Sequence, residues 1–279
     1  MEFIEIKAPA KINIGLNIVN KRNDGYHDLE TFFYPINDLY DTLTFTKSDK
    51  FSFRTDSWQL TDEGNNLVVK AKTLLENECG KELKVGIELT KRIPLGAGLG
   101  GGSSDAAAAI ISLNEMFGLG LTYEQQIDIA LKLGSDIPFF IKAKPAVGYS
   151  RGEKLVLKND FELNKSLVIV NPGIHISTKE AFGNISPEPS GIVYGNIFNS
   201  EDSFLKNKSV LRNDFEQFVF SRYPAIKQIK DDLYASGAEF ALMSGSGSTV
   251  YGVFQSKDVA ETAALKLNPD YFIFVSTSD

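Results

Sequence analysis

Cysteine is almost missing from this chain: Cys79 is the only one in 279 residues. An internal disulfide is impossible, and a zinc site built on cysteine is excluded. Histidine is nearly as scarce. His27 and His175 stand far apart in sequence, so a histidine-rich metal cluster is not expected. Positive charge is outnumbered as well, with 29 Lys and Arg against 36 Asp and Glu and a net charge of −7. No basic footprint for nucleic acid is visible. Any phosphate site must then rely on local donors rather than on a global field. No uninterrupted apolar run reaches the ~18 residues of a membrane span. Glu2, Glu5, Lys7 and Lys11 break up the N-terminal residues, which leaves no signal-peptide core. The expectation is a cytoplasmic protein with neither nucleic acid nor membrane as partner. Repeats and low-complexity tracts are absent too. What remains is ordinary, 43% hydrophobic and 23% charged, as in a soluble globular protein. The length suits two domains or one large one.

Glycine, by contrast, is concentrated in one place. Residues 94–105 read PLGAGLGGGSSD. Gly96, Gly98, Gly100, Gly101 and Gly102 lack a Cβ, which permits φ > 0 and close approach of another group. Ser103, Ser104 and Asp105 follow, then four alanines. A glycine-rich loop entering a helix aims several N–H groups and the positive end of the dipole at one spot, an anion site whose usual occupant is phosphate. Gly96, Gly98 and Gly101 spell GxGxxG, which alone is a weak sign of a dinucleotide fold. That fold places the motif after the first strand, with a ribose-binding acid about 20 residues on. Here the loop begins only at Pro94, and the nearest candidate acid, Glu124, falls in a helix-start pattern, LTYEQQ. GxxxxGK[ST] is absent, because no lysine follows the glycines. A plain tight turn seldom sets five glycines and two serines directly before a helix.

The chain around this loop alternates strands and helices. Residues 1–7 alternate as a strand. In APAKINIGLNIV, Ile12, Ile14, Leu16 and Ile18 share one face at period 2, and Lys11, Asn13, Gly15 and Asn17 the other. That polar face is either solvated or lines a site. Asn23-Asp24-Gly25 marks a turn, followed by Tyr26, His27 and a strand over 29–36. His27 is either a solvated residue near a turn or, with the aromatic beside it, part of a stacking site for a base. Two short strands are expected over 41–54, a helix from Leu67, a strand over 85–89 and a helix over 104–117 with Ser103 as its N-cap. Asp105 in that first turn suits the dipole, but it would repel a phosphate unless a cation intervenes. A helix over 123–133 leads to Asp136, which either forms a turn before Pro138 or carries chemistry. A hairpin over 147–157 turns at Arg151-Gly152. In the second half, residues 167–170 form a strand and Ser177 with Glu180 a capping box. Residues 184–207, with Pro187 and Pro189, read as irregular. A helix follows from Pro224, then strands over 240–243 and 249–254, a helix over 259–267 and a strand over 271–275. Strand, helix, strand, strand, helix, strand is the order of a ferredoxin-like unit.

Several stretches align with one family. PLGAGLGGGSSDAAA resembles the glycine-rich ATP loop of the GHMP kinases, and APAKINIGLNI, DGYHDLETFF, GSDIPFF and MSGSGSTVYGVF agree with it, together spanning nearly the whole chain. DGYH resembles the members that act on a cytidyl diphosphate of methylerythritol. Ser135 departs slightly, since the family more often has Ala before the Asp. The resemblance implies an α+β fold of two domains. The first, 1–158, would bind ATP and contain a left-handed βαβ crossover, against the usual hand; the second, 159–279, would be ferredoxin-like. It implies transfer of the γ-phosphoryl of ATP to a tertiary hydroxyl, with Asp136 as general base and Lys11 beside it. Pro94, Leu95, Gly96, Ala97, Gly98, Leu99, Gly100, Gly101, Gly102, Ser103 and Ser104 would cradle the ATP phosphates, and Asn66 and Lys91 would lie near its nucleoside. Mg²⁺ is implied, with Ser104 as a ligand. Tyr26 and Phe182 would sandwich cytosine, His27 would read its edge, and Asn13 and Thr178 would contact the substrate. The expected partners are that cytidyl diphosphate and ATP, in a monomer or weak homodimer. The alternatives are a GHMP kinase for another alcohol, of the mevalonate, homoserine or galactose type; a dinucleotide oxidoreductase; and a silent nucleotide-binding module.

Overall fold

The structure, a computed structural model, describes residues 2–60, 64–188 and 191–277. Met1 and Pro189, both read above, lie outside the described residues. The chain divides into two compact units: Met1–Ala10 with Leu39–Leu95 and Gly100–Ala143, and Lys11–Asp38 with Gly96–Leu99 and Lys144–Asp279. The glycine loop is thus shared out along the sequence, its first glycines in the second unit and Gly100 onward in the first. The two strands expected at the N-terminus are one, β1 (Phe3–Lys21), because Ala8 and Ala10 continue the buried alternation. It pairs with β2 (His27–Lys47), which likewise runs far past the expected 29–36. Among the described residues no helix is long and apolar enough to cross a membrane.

In the first unit, β3 (Ser52–Thr55), α1 (Leu67–Cys79) and β4 (Val85–Thr90) form a βαβ unit, with β3 parallel to β4. The end of β2 runs antiparallel to β4, from Thr42 opposite Thr90 to Lys47 opposite Val85. Asn66 caps α1 by accepting from the Val68 N–H at 2.9 Å. α2 (Gly101–Phe117) packs on α1. All four alanines at 106–109 are buried. The expected start of α2 is corrected: the helix begins at Gly101 rather than Ser104. Gly100 takes the cap position at φ +74°, a left-handed conformation that glycine reaches without a Cβ penalty, so no side-chain cap is made. Ser103 is therefore inside the first turn, and Asp105 lies beyond it. α3 (Tyr123–Leu133) keeps its expected bounds and opens with a full capping box between Thr122 and Gln125. The short α4 (Ile137–Phe140) follows.

In the second unit, the start of β2 pairs with β5 (Ala146–Tyr149), and β5 with β6 (Lys154–Leu157), the expected hairpin. Four strands form a second sheet: β7 (Ser166–Asn171), β8 (Phe240–Met243), β9 (Val250–Phe254) and β10 (Phe272–Ser276). Its order is β10-β7-β9-β8 with every neighbour antiparallel. That is the ferredoxin-like order. Between β7 and β8 come α5 (Thr178–Gly183), α6 (Tyr194–Ile197), α7 (Glu201–Asn207), α8 (Glu216–Arg222) and α9 (Pro224–Ala235). α10 (Lys257–Ala264) joins β9 to β10. Ile226, Ile229 and Leu233 of α9 are the buried stripe that its spacing predicts. The reading of 184–207 as irregular is corrected by α6 and α7. Their reason is tertiary. Phe198 stacks on Phe32 with ring centres 3.8 Å apart, and Phe204 and Phe161 close around it. Burial of these rings outweighs the weak local helix signal.

Candidate active site

Lys11 sits on β1 with its side chain almost wholly buried. Nζ donates to Asn13 Oδ1 at 2.6 Å and to the Gly98 carbonyl oxygen at 3.0 Å. Its backbone N–H donates to Leu99 O at 2.9 Å. The polar face of this strand is therefore not solvated; it is fastened to the glycine loop. Asn13 donates from Nδ2 to Thr31 Oγ1 at 2.8 Å, which fixes the amide so that Oδ1 points at the lysine. A second Gly/Ser loop holds Gly98 from another side: Ser244 Oγ donates to Gly98 O at 2.9 Å and accepts from the Asn13 N–H at 3.2 Å. Gly98 has φ +78°, and a Cβ there would stand 2.2 Å from Ser244 O. Gly96 faces His175 in the same way, with a Cβ landing 2.8 Å from Nδ1. Ala97 O accepts from the Thr249 N–H at 3.2 Å.

In the first unit, helix geometry leaves the N–H groups of Gly101, Gly102 and Ser103 without an intrahelical acceptor. The Ser104 N–H is spent on Gly100 O at 2.9 Å. Ser104 Oγ is buried with no partner. Lys91 Nζ is held by Asp41 and by Asp105 Oδ2 at 2.8 Å, so the cation that Asp105 requires comes from the chain itself. Burial pushes the Asp105 carboxyl above the usual carboxylate range against the pull of Lys91, and Asp41 pushes the same way. Burial alone would lower Lys91, but Asp105 and Asp41 outweigh it and hold the ammonium charged. Asn66 is buried as the α1 cap. Asp136 occupies the cap position of α4, where its side chain makes no cap hydrogen bond. Among the described residues no group of three or more His, Cys, Asp or Glu is placed to hold a metal. A Mg²⁺ ion does not demand one, since it keeps several waters and borrows phosphate oxygens. The unpartnered Ser104 hydroxyl fits such a ligand.

A third group lies in the second unit. The His27 and Phe182 rings stack with centres 4.9 Å apart at 19°. Tyr26 is exposed, and the Arg151 guanidinium lies 4.5 Å over its ring. Phe182 therefore has His27 as its stacking partner here, and Tyr26 has Arg151. Burial, then Lys21, lowers His27 below the ordinary imidazole value and favours its neutral form. Thr178 Oγ1 lies 3.1 Å from Ser246 Oγ. Sequence reasoning did not single out Asp41, Arg151 or Ser244 as site residues. For Ser244 the signal was present in SGSGS; for Asp41, a lone acid on a strand, there was none.

The chain matches the GHMP kinases N terminal domain over residues 66–144 and the GHMP kinases C terminal domain over residues 202–273. The 4-diphosphocytidyl-2-C-methyl-D-erythritol kinase of Bacteroides fragilis is 45% identical over 255 residues, covering 89% of this chain and 91% of its own. That of Geobacter sp. (strain M21) is 38% identical over 273 residues, covering 96% and 95%. A crystal structure of 4-(cytidine 5'-diphospho)-2C-methyl-D-erythritol kinase superposes with a TM-score of 0.82 at 30% identity, covering 98% of each chain. Strand order, glycine loop and near-full-length kinship agree: the chain belongs to the GHMP kinases and, within them, to the 4-diphosphocytidyl-2-C-methyl-D-erythritol kinases.

Proposed function

We propose that this protein transfers the γ-phosphoryl of ATP to the tertiary 2-hydroxyl of 4-diphosphocytidyl-2-C-methyl-D-erythritol, giving the 2-phosphate and ADP. It thereby serves the non-mevalonate route to isoprenoid precursors. The observation that carries the reading is the buried Lys11 ammonium, gripped by Asn13 and by the carbonyl of Gly98 in a chain of this family. A buried amine at a phosphate loop has charge neutralisation to offer, and phosphoryl transfer needs little else beyond positioning.

Asp136 accepts the hydroxyl proton as the alkoxide oxygen bonds to the γ-phosphorus and the β–γ bridging oxygen departs with ADP. Lys11 keeps Asp136 ionised and stabilises the developing alkoxide. The N–H groups of Gly101, Gly102 and Ser103, with the loop from Pro94 through Gly100, hold the phosphates. When bound, Mg²⁺ supplies neutralisation of the phosphate charge, with the Ser104 hydroxyl as its protein ligand. Asn66 and Lys91 flank the nucleoside end. Tyr26 and Phe182 enclose the cytosine ring, His27 reads its edge in the neutral form, and Asn13 and Thr178 contact the methylerythritol side. Residues 1–158 carry ATP binding and 159–279 the ferredoxin-like half. The protein works in the cytoplasm as a monomer or weak homodimer.

A coupled ADP-release assay tests the reading with the cytidyl substrate beside mevalonate, homoserine and galactose. Turnover of the cytidyl compound alone is expected. Preferential turnover of another alcohol would refute the substrate, and no nucleotide consumption with any would refute the kinase.

A further inference from the structure

Asp41, Lys91 and Asp105 form a buried charged group of which the reading above uses only Lys91, beside the nucleoside. Asp41, from β2, is fully buried. Its Oδ1 accepts from the N–H groups of Arg92 at 2.6 Å and Ile93 at 2.9 Å, while its Oδ2 takes the Lys91 ammonium. One carboxylate thus fixes the three residues that lead into Pro94. The same ammonium reaches Asp105 Oδ2, about one turn into α2. Gly101, the first residue of α2, lies against this group with little room for a side chain. A Cβ there would stand 3.0 Å from Ile93 Cγ2 and 3.3 Å from Asp41 Oδ2.

We propose that Asp41, Lys91 and Asp105 act as a strut that sets the first turn of α2 for the ATP phosphates, which makes Lys91 a positioning residue rather than a reader of adenine. The inference rests on the reading above that this turn holds phosphate. Stability does not account for the group. Burying two carboxylates and an ammonium is costly, and well-packed apolar residues often do as well or better. Position and charge do account for it. The strut ties the loop entry to the helix whose amides face the anion, and Lys91 offsets Asp105, an acid that would otherwise oppose an anion at this helix end. Both Asp105 Oδ1 and Ser104 Oγ remain unpartnered in the buried turn. The ammonium of Lys91 is already occupied by two carboxylates, and its side chain is only 7% exposed, which leaves it little to offer a base.

Separating fold from position is the test. A non-hydrolysable ATP analogue is titrated into the full chain by calorimetry, and the melting temperature is measured on the same samples. K91M strands two buried carboxylates, so both stability and affinity should fall. K91M/D105N removes the ammonium and one carboxylate together and leaves Asp41 its two backbone donors. Its melting temperature should recover towards wild type, while its affinity stays about tenfold or more below wild type. Recovery of affinity along with melting temperature would overturn the strut by making the group merely structural. D105N, which keeps the shape and the Lys91–Asp41 pair, supplies the same comparison if K91M does not fold: removing the acid would by charge alone tighten binding, so weaker binding at nearly unchanged melting temperature supports the strut, and unchanged or tighter binding overturns it. The ratio of affinities for adenine and guanine triphosphate analogues should not change in any variant; a changed ratio would show Lys91 reading the base and overturn the proposal. A wild-type chain that binds no analogue would remove the kinase reading and the strut with it. A wild type that binds no better than the double variant would remove the strut alone.

Discussion

A Cβ on Gly98 would meet the Ser244 carbonyl oxygen at 2.2 Å, and the residue already lies at φ +78°. Gly98→Ala must push the backbone at residue 98 and the Ser244 carbonyl apart, which disturbs the Gly98 oxygen that accepts from Lys11, so it is expected to destabilise the fold by about 1–3 kcal/mol and to lower kcat as well. Chemical denaturation and steady-state kinetics on one preparation check both. Asp136→Asn keeps the size and shape of the side chain, so it should melt close to wild type while kcat falls by about 10²–10⁴-fold. An active variant would refute the base. For His27 the sign follows from its lowered pKa. The neutral ring is favoured in the folded protein, so its contribution is complete above the ordinary imidazole value and is lost as pH falls below it. The KM for the cytidyl substrate should stay level from pH 8 down to about 6.5 and rise only at lower pH. A KM that rises already above neutrality would contradict a neutral reader. Gly98 was legible because its chemistry is local, a glycine where no Cβ fits; an acid before Pro138 reads equally as a turn-former, and its part as base comes from the family resemblance. The acceptors of the Lys11 ammonium were not legible, since Gly98 O is 87 residues away and a backbone atom carries no sequence signature.

Elements were read best where one period governs a segment. α3 and the stripe of α9 matched because a capping box or a first-turn proline accompanies strong spacing, and β8 because its four residues are a continuous apolar run. The start of α2 was misjudged because Ser103 looks like a cap, whereas Gly100 in a left-handed conformation begins the helix without one. α6 and α7 escaped because their order comes from distant partners. Tyr194, on α6, donates to Asn17 Oδ1 at 2.5 Å, and its ring fills the space that Gly15 leaves open. Removing that hydroxyl leaves a buried acceptor unpaired. Tyr194→Phe should therefore cost about 1–3 kcal/mol in urea unfolding, with no change in m-value. A loss below a few tenths of a kcal/mol would mean that the hydrogen bond contributes nothing to holding α6.

At the scale of the whole molecule, the ferredoxin-like sheet was legible from element order alone, because four antiparallel strands with two crossovers admit few packings. The division of the first unit was not, since β1 and β2 run through both units and no composition shift marks where. Substrate identity was carried by short motifs, Tyr26-His27 above all, rather than by fold. Folds of this kind host many acceptors, so the product itself is decisive. Phosphorus NMR of the reaction with ATP and 4-diphosphocytidyl-2-C-methyl-D-erythritol reads it directly. The account predicts a new phosphomonoester resonance on the tertiary hydroxyl, growing in step with ADP while the substrate's diphosphate signals persist. Loss of those diphosphate signals, or ADP formed with no new monoester, would contradict it.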